Sequence, residues 1–441
     1  MRVKWFDCGI ILSSILLIFS TTVASTSTSD AAIQPIALPD VPQNALHYVV
    51  DSQTLLSGQK QAQAAASTLQ KMFSPWDMRG SVFTDVKKTV QNTLARYQHV
   101  NAYYAFNFHH VEKDWLAGVE KNMNLANFPN NNQNAIVISS TYLRELPTDL
   151  PIYNDYRQAG EGFPFDNLQV SSFWAGTPLR VYHVSEDGVW ALVSDSELTG
   201  WVKVSDIAFV DPSFIKKYRS LPFVAMTKDN IAVKNAEGLG LFKTRIGMLL
   251  PLLKGKVAAP LIDENHRAVL KPIALSDRYY QPYPIALTPK KVALLINDML
   301  GEPYGWGGLY YFRDCSLTLK NLFLPFGIDL PRNSAAQGKS GKVISLLHLT
   351  NAEKKAVIAA KGKPFFTLLH KSGHIILYLG SENGEPIIFQ NKWGLPTRYA
   401  DGEQGRVILG EAHISPISFG RHTKYVTATL LDDVDEMALL S

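Results

Sequence analysis

Apolar residues recur at helical spacing near the start of the chain, alternate with polar ones through its middle, and return to helical spacing before a final alternating stretch. After an Ala- and Gln-rich run beginning at Ser57, Leu69, Met72 and Phe73 predict a helix that Ser74-Pro75 ends, because the residue before a proline disfavours helical backbone. Val86, Val90, Leu94 and Tyr97 predict a second helix over about 83–97. Near Asn134 the period changes to two. Short apolar runs at 135–138, 176–181, 187–193 and 200–202 are separated by turn residues, which predicts a small closed barrel over 134–212 with Trp190 and Trp201 filling its inside. A weaker series, Ile231-Ala232-Val233, Gly240-Leu241-Phe242 and Ala268-Val269-Leu270, predicts a second barrel over 213–286. From 287 the helical period resumes with Val292, Leu295, Ile296 and Met299, and again from Cys315 to Phe326 with Leu317, Leu319, Leu322 and Phe323. From His374 alternation predicts a hairpin that turns at Asn383-Gly384 and returns through Pro386 to Gln390. The expected fold class is α+β: a leader and helical segment over 25–133, two barrels, a last domain over 287–425 and a tail over 426–441.

The first 24 residues change this picture. Arg2 and Lys4 precede an apolar stretch from Ile10 to Phe19, and Thr22-Val23-Ala24 offers small residues for cleavage, so the pattern is that of a signal peptide for export to the periplasm or the medium. The stretch is too short to span a bilayer comfortably, so no stable membrane insertion is expected after cleavage. Residues 25–45, rich in Ser, Thr, Ala and Pro, read as a flexible leader. The chain of 441 residues carries a formal charge of +4, without a long run of one sign. Nucleic acid is therefore not implied as a partner.

Only two cysteines occur in the sequence, and Cys8 leaves with the signal. Cys315 is then alone and has no internal disulfide partner, so it is either a small buried hydrophobe or a nucleophile. Its place at a helix start favours the thiolate, since unpaired N–H groups and the aligned peptide dipoles stabilise negative charge there. His374, heading a strand, is the candidate base, and a third polar residue must hold the imidazole. His109-His110 has no second cluster at metal-ligand spacing and reads as surface or structural. The chemistry needs no metal and no other cofactor.

The run Leu300-Gly301-Glu302-Pro303-Tyr304-Gly305-Trp306-Gly307-Gly308, then Asp314-Cys315-Ser316, then Gly327-Ile328-Asp329-Leu330-Pro331-Arg332 with Ser334 and Gln337, then Gly373-His374 before Tyr378-Leu379-Gly380, resembles the NlpC (NlpC/p-sixty) cell-wall cysteine peptidases. Members carry a papain-like domain after a helical segment and one or two SH3-like barrels. They cleave the bond between γ-D-glutamate and the following diamino acid in peptidoglycan stem peptides, so stem peptides or muropeptides are the implied partners. The resemblance implies Cys315 as nucleophile, His374 as base and Gln390 as the orienting residue. A simple two-residue turn at Asn383-Gly384 would instead put Asn391 on the face of His374. Tyr304 matches a tyrosine near the nucleophile, and Asp314 and Ser316 match positions that can contact the stem peptide. Glu161 and Asp166, in a Gly-rich acidic loop of the first barrel, are candidates for holding the free amine of an N-terminal L-alanine. Arg313 and Leu317 depart from the family pattern. Cleavage of cross-links, amidase or acyltransferase chemistry on the same scaffold, and a non-catalytic wall-binding role remain open at this level.

Overall fold

The computed structural model describes residues 33–441 apart from 52, 79–81, 236, 400 and 401, so the expected signal at 1–24 lies outside the described residues. The N-terminal helices are Gly58–Phe73, Val82–Arg96 and Lys113–Met123. Ser57 caps the first through its hydroxyl on the N–H of Lys60, and Pro75 turns its end into one 3-10 turn.

The first barrel is a seven-stranded sheet in the order Ile207–Phe209, Gln133–Val137, Pro178–Val184, Trp190–Ser194, Thr199–Lys203, Thr141–Arg144, Gln169–Phe173. Its interior is built from Ala135, Val137, Leu143, Leu179, Val181, Ala191 and Val193. Trp190 and Trp201 are not in that interior. They point out of the barrel and join Val86, Val90, Tyr97 and Met123 of the helices in a separate core, as the period of two requires once Ala191 and Val193 face inward. One barrel sheet is thus apolar on both faces because the helical segment covers its outside. The second barrel holds the strands Ala268–Pro272, Lys256–Ile262, Leu249–Leu253, Phe223–Met226 and Tyr280–Pro282, with the hairpin Ala232–Lys234/Gly240–Lys243 beside it.

The last domain sets the helix Cys315–Phe323 against a sheet in the order Ile33–Pro35, Gln404–Pro416, Glu385–Arg398, His374–Glu382, Thr367–Lys371, Glu436–Leu439, Lys342–Ser345. Both ends of the chain enter this sheet. Residues 33–35 of the expected leader pair in parallel with 406–408, and Gln43 bonds Ile414 through both its amide oxygen and its nitrogen. The expected tail supplies a strand between two others, because Leu430, Leu431, Val434, Met437 and Ala438 bury their side chains there.

The first barrel is docked on the last domain where glycine allows it. Gly307 and Gly308 have φ of 55° and 83°, and a Cβ on them would lie 2.4 Å from the carbonyl of Gln169 and 2.3 Å from the hydroxyl of Ser172. Gln169 Nε2 and Ser172 Oγ donate to the carbonyls of Gly307 and Gly308, both at 2.8 Å. The barrel strand Gln169–Phe173 thereby forms a wall beside the segment that leads into Cys315.

Candidate active site

Asp314 starts the helix that carries Cys315. Its Oδ1 accepts from the N–H of Leu317 at 2.8 Å, an N-cap that holds the first turn in place. Arg332 clamps the same carboxylate, with Nη2 2.6 Å from Oδ2, donates to Ser316 Oγ at 2.8 Å, and reaches Ser171 of the first barrel with Nε at 2.8 Å. Asp314 and Ser316 are both buried and spend their polar atoms on this scaffold, so the contact with a stem peptide expected of them does not form from these side chains. They position the thiol instead.

Arg313, one of the departures from the family pattern, has its own cage. It is fully buried, and its guanidinium meets Asp229 of the second barrel at 2.7 and 2.9 Å, Glu302 at 2.5 Å and the carbonyl of Ile246 at 3.0 Å. Arg245 pairs with Glu302 as well. Two cations and two carboxylates therefore neutralise one another in a dry joint two residues before the cysteine.

Cys315 is buried, and burial pushes its thiol up to about 12, with the Asp314 carboxylate adding to the shift; the N–H of Ile375, Arg332 and Lys392 pull the other way. The resting group is the neutral thiol, and the helix start does not overcome desolvation. His374 is held well below the usual imidazole range, first by burial and then by Lys392. Among the described residues the thiol makes no hydrogen bond to His374.

The hydrogen bonds around the imidazole fix its tautomer. His413 Nδ1 lies 2.9 Å from the carbonyl of Glu411 and must donate to it, which leaves His413 Nε2 as an acceptor. Gln390 Nε2, 3.1 Å from that nitrogen and 3.2 Å from Ser415 Oγ, is then the donor. Gln390 Oε1 consequently faces His374 Nε2 at 2.9 Å and accepts its proton, so His374 Nδ1 carries the free lone pair. Burial holds His413 down to about 4, which keeps it neutral in this chain of bonds.

The strand register explains why Gln390 occupies this place. Tyr378 pairs with Ile388, and the register shifts between Tyr378 and Gly380, so Leu379 is an extra residue in its strand. Counted from the turn without that bulge, Asn391 would share the face of His374. With it, Gln390 does, and Asn391 turns to the carbonyl of Arg313 at 2.8 Å and Thr318 Oγ1 at 3.4 Å.

Tyr304 is mostly buried beside Cys315 and Asp314, and desolvation raises its hydroxyl well above the usual range. Asp166 is turned away from any amine. It is 1% exposed, ion-paired with Arg144 at 2.5 Å, and accepts the N–H groups of Ile152 and Leu168. Its place as a ligand is corrected to a brace for the barrel loop. Glu161 is partly exposed and accepts from Asn154 at 2.8 Å.

Three residues of the site escaped sequence reasoning. His413 and Ser415 lie on the strand next to Gln390, paired through Gln390↔His413 and Ile388↔Ser415, a relation that becomes visible only with the sheet order. Lys392 follows Gln390 by two positions and so shares its face. Its ammonium has no hydrogen bond or ion pair among the described residues, and burial together with Lys371 lowers it to about 7. The thiol partly offsets this, and near neutral pH Lys392 divides between ammonium and amine. For metal ions, His370, Asp435 and Glu436 bring one ligand atom each within 4.8 Å of one another. His370 Nδ1 is bonded to Asp435 at 2.9 Å and Glu436 pairs with Lys339, while His370 Nε2 and Glu436 Oε2 are buried without a partner among the described residues.

Two barrels wrapped around a papain-like α+β domain, with a buried cysteine at a helix start and a tautomer-fixed histidine on the sheet, define a class of multidomain protein with hydrolase-like geometry. The comparisons agree with that class. Residues 10–128 match the N-terminal NLPC_P60 stabilising domain, 151–203 the SH3 domain of SH3b1 type, and 211–255 the SH3 domain of SH3b2 type. The fold is similar to that of an NlpC/P60 endopeptidase from Photobacterium damselae subsp. piscicida, at 28% identity and a TM-score of 0.85, over 92% of this chain and 99% of that one. An NlpC/P60 family protein from Bacillus cereus matches at 17% identity and a TM-score of 0.45, over 70% of this chain and 100% of that one. No curated protein matches. The chain thus carries matches to the NLPC_P60 stabilising domain and to two SH3 domains, on a fold similar to that of an NlpC/P60 endopeptidase.

Proposed function

We propose that this protein is a cell-wall hydrolase acting as a cysteine endopeptidase on peptidoglycan stem peptides, and that it cleaves the bond between γ-D-glutamate and the following diamino acid. The observation that carries the reading is the chain His413–Gln390–His374, which leaves His374 Nδ1 with a free lone pair, while the N–H of the following residue, Ile375, meets the buried thiol of Cys315. Substrate binding displaces water from the cleft, and Cys315 passes its proton to His374 Nδ1 as sulfur attacks the γ-carbonyl carbon. Backbone N–H groups at the start of the helix stabilise the oxyanion. The tetrahedral species then expels the amine of the diamino acid, which takes the proton from His374, and leaves a thioester on Cys315. Water, deprotonated by His374, hydrolyses that thioester and restores the thiol. Tyr304, beside the thiol, borders the substrate, and Lys392 offers a positive charge to the thiolate or to a carboxylate of the stem.

The expected export signal and the matches to SH3 domains support action in the periplasm or outside the cell. Among the described residues no helix is long and apolar enough to cross a membrane. Digestion of defined muropeptides, followed by mass spectrometry of the products, tests the assignment. Products ending in D-glutamate, with a new free amine on the diamino acid, are expected. Cleavage at a cross-link or release of the whole peptide from muramic acid would replace this reading by one of the other hydrolase chemistries.

A further inference from the structure

Away from the buried cysteine, the first barrel and the helical segment together form an open groove lined by aromatic rings. The strand Tyr104–Ala105 pairs with Ile152–Tyr153, and a tight turn after it returns the chain through Phe108 N–H to the carbonyl of Ala105 at 3.0 Å. This turn pushes Phe106 and Phe108 outward, leaving them 64% and 62% exposed; Phe163 on the facing loop is 55% exposed. Phe108 adopts φ of 66°, a left-handed conformation that a bulky side chain rarely takes. Such a cluster of solvent-facing rings is costly for a soluble protein unless something covers it.

Ring contacts lead from the groove towards Tyr304. Phe108 lies 4.6 Å from Tyr156, whose ring meets Tyr104 at 5.1 Å. Phe163, on the same loop as Tyr156, lies edge-on to Trp393 at 6.4 Å, and Trp393 lies 6.1 Å from Tyr304 beside the thiol. Trp393 directly follows Lys392, so the aromatic path begins at the groove and ends where the reacting groups sit. Polar groups border it. Arg157 holds the hydroxyl of Tyr104 at 2.8 Å, and Glu161 is fixed by Asn154.

We propose that this groove binds the amino-sugar chain to which the stem peptide is attached, so that the protein takes glycan-linked stems in preference to free peptides. The inference rests on the peptidoglycan reading above. A pyranose ring presents a face of C–H bonds that stacks on an aromatic ring while its hydroxyl and acetamido groups stay at the polar rim, which matches exposed ring faces flanked by Arg157 and Glu161. A stem held by the reacting groups keeps its sugar close by, and the aromatic path gives that sugar a continuous surface.

The test has a binding arm and a kinetic arm, both on the full-length protein. In the first, tetra-N-acetylchitotetraose is titrated while tryptophan fluorescence and calorimetry are followed. Saturable binding that is lost in the Phe106→Ala/Phe108→Ala variant is expected, and no binding at millimolar sugar overturns the proposal whatever the protein's activity. In the second, kcat/KM is compared for the disaccharide-linked stem peptide, the same peptide with an acetylated L-alanine, and the peptide with a free amine. The disaccharide-linked substrate is expected to lead the acetylated one by about tenfold, with that ratio falling towards one in the double variant. The ratio is insensitive to the fraction of variant that folds. Equal rates for the linked and acetylated peptides, or preference for the free amine, overturn the glycan proposal while leaving the peptidase reading intact. Sedimentation equilibrium gives a third outcome: a dimer that the double variant dissociates would make the groove a contact between copies of this chain and overturn its role as a sugar site.

Discussion

Gln390 has two jobs at once, since its oxygen holds the proton of His374 while its nitrogen is tied to His413 and Ser415. Removing the amide frees the imidazole to rotate and to take the other tautomer. Gln390→Ala is therefore expected to lower kcat by about 10²-fold with little change in KM, as loss of an orienting group does. His413→Ala is expected to cost less, because Gln390 keeps Ser415 as a partner. Steady-state kinetics on a defined muropeptide compares the two, and a larger loss for Asn391→Ala than for Gln390→Ala would contradict the assignment. Burial also sets the response to pH. His413 binds a proton near 4 in the folded chain and near 6.5 when unfolded, so between those values the unfolded state binds more protons and stability rises with pH. The contribution is complete above about 6.5 and is lost as pH falls towards 4. Thermal melts between pH 7.5 and 4.5 are expected to show a falling Tm, with a shallower slope in His413→Gln; equal slopes would contradict it. The thiol behaves in the opposite sense. With Cys315 raised to about 12, alkylation by iodoacetamide is expected to be slow at neutral pH and to climb through pH 9–10, and a plateau reached near pH 7 would show a preformed thiolate.

Elements, more than single residues, decide what the sequence could disclose. The start of the Cys315 helix was readable because its apolar spacing and its Asp314 cap are local signals. The hairpin turn was readable too, since Asn383 and Gly384 both take the positive φ that such a turn needs. The bulge at Leu379 carries no such mark, and it alone decides between Gln390 and Asn391 on the strand that follows. Asp314 and Ser316 match family positions flanking Cys315 and Asp166 lies in an acidic Gly-rich loop, and in either place a polar residue has the same sequence signature whether it meets a ligand or an arginine. Their partners, Arg332 and Arg144, are distant in sequence, and only the fold brings them in. The joint around Arg313 shows the same limit, being assembled from Asp229, Arg245 and Glu302 across two domains. Asp229→Ala leaves that guanidinium short of one buried partner and is expected to destabilise the protein by about 3–5 kcal/mol. Chemical denaturation monitored on the whole chain measures this, and a change below about 1 kcal/mol would mean that the joint contributes little.

At the scale of the whole molecule, four regions complete the last domain: two at the segment before Cys315 and two in its sheet. The first barrel seals Gly307 and Gly308, the second barrel cages Arg313, and residues 33–35 and 436–439 complete the sheet that carries His374 and Gln390. Composition reads 25–45 as a flexible leader, because Ser, Thr, Ala and Pro bury little; residues 33–35 are nonetheless held by adding to a sheet built from other parts of the chain. The barrels accordingly help to build the site. Under the proposed function all of this serves one chemical event, the transfer of an acyl group to Cys315. The most direct measurement is rapid quenching of the protein with a γ-D-glutamyl-diamino-acid stem peptide, intact-mass analysis, and peptide mapping of the adduct. A transient mass increase equal to the acyl fragment ending in D-glutamate, located on Cys315 and absent together with turnover in Cys315→Ala, is the result expected. Turnover by Cys315→Ala at a rate comparable with the unmodified protein would contradict the account.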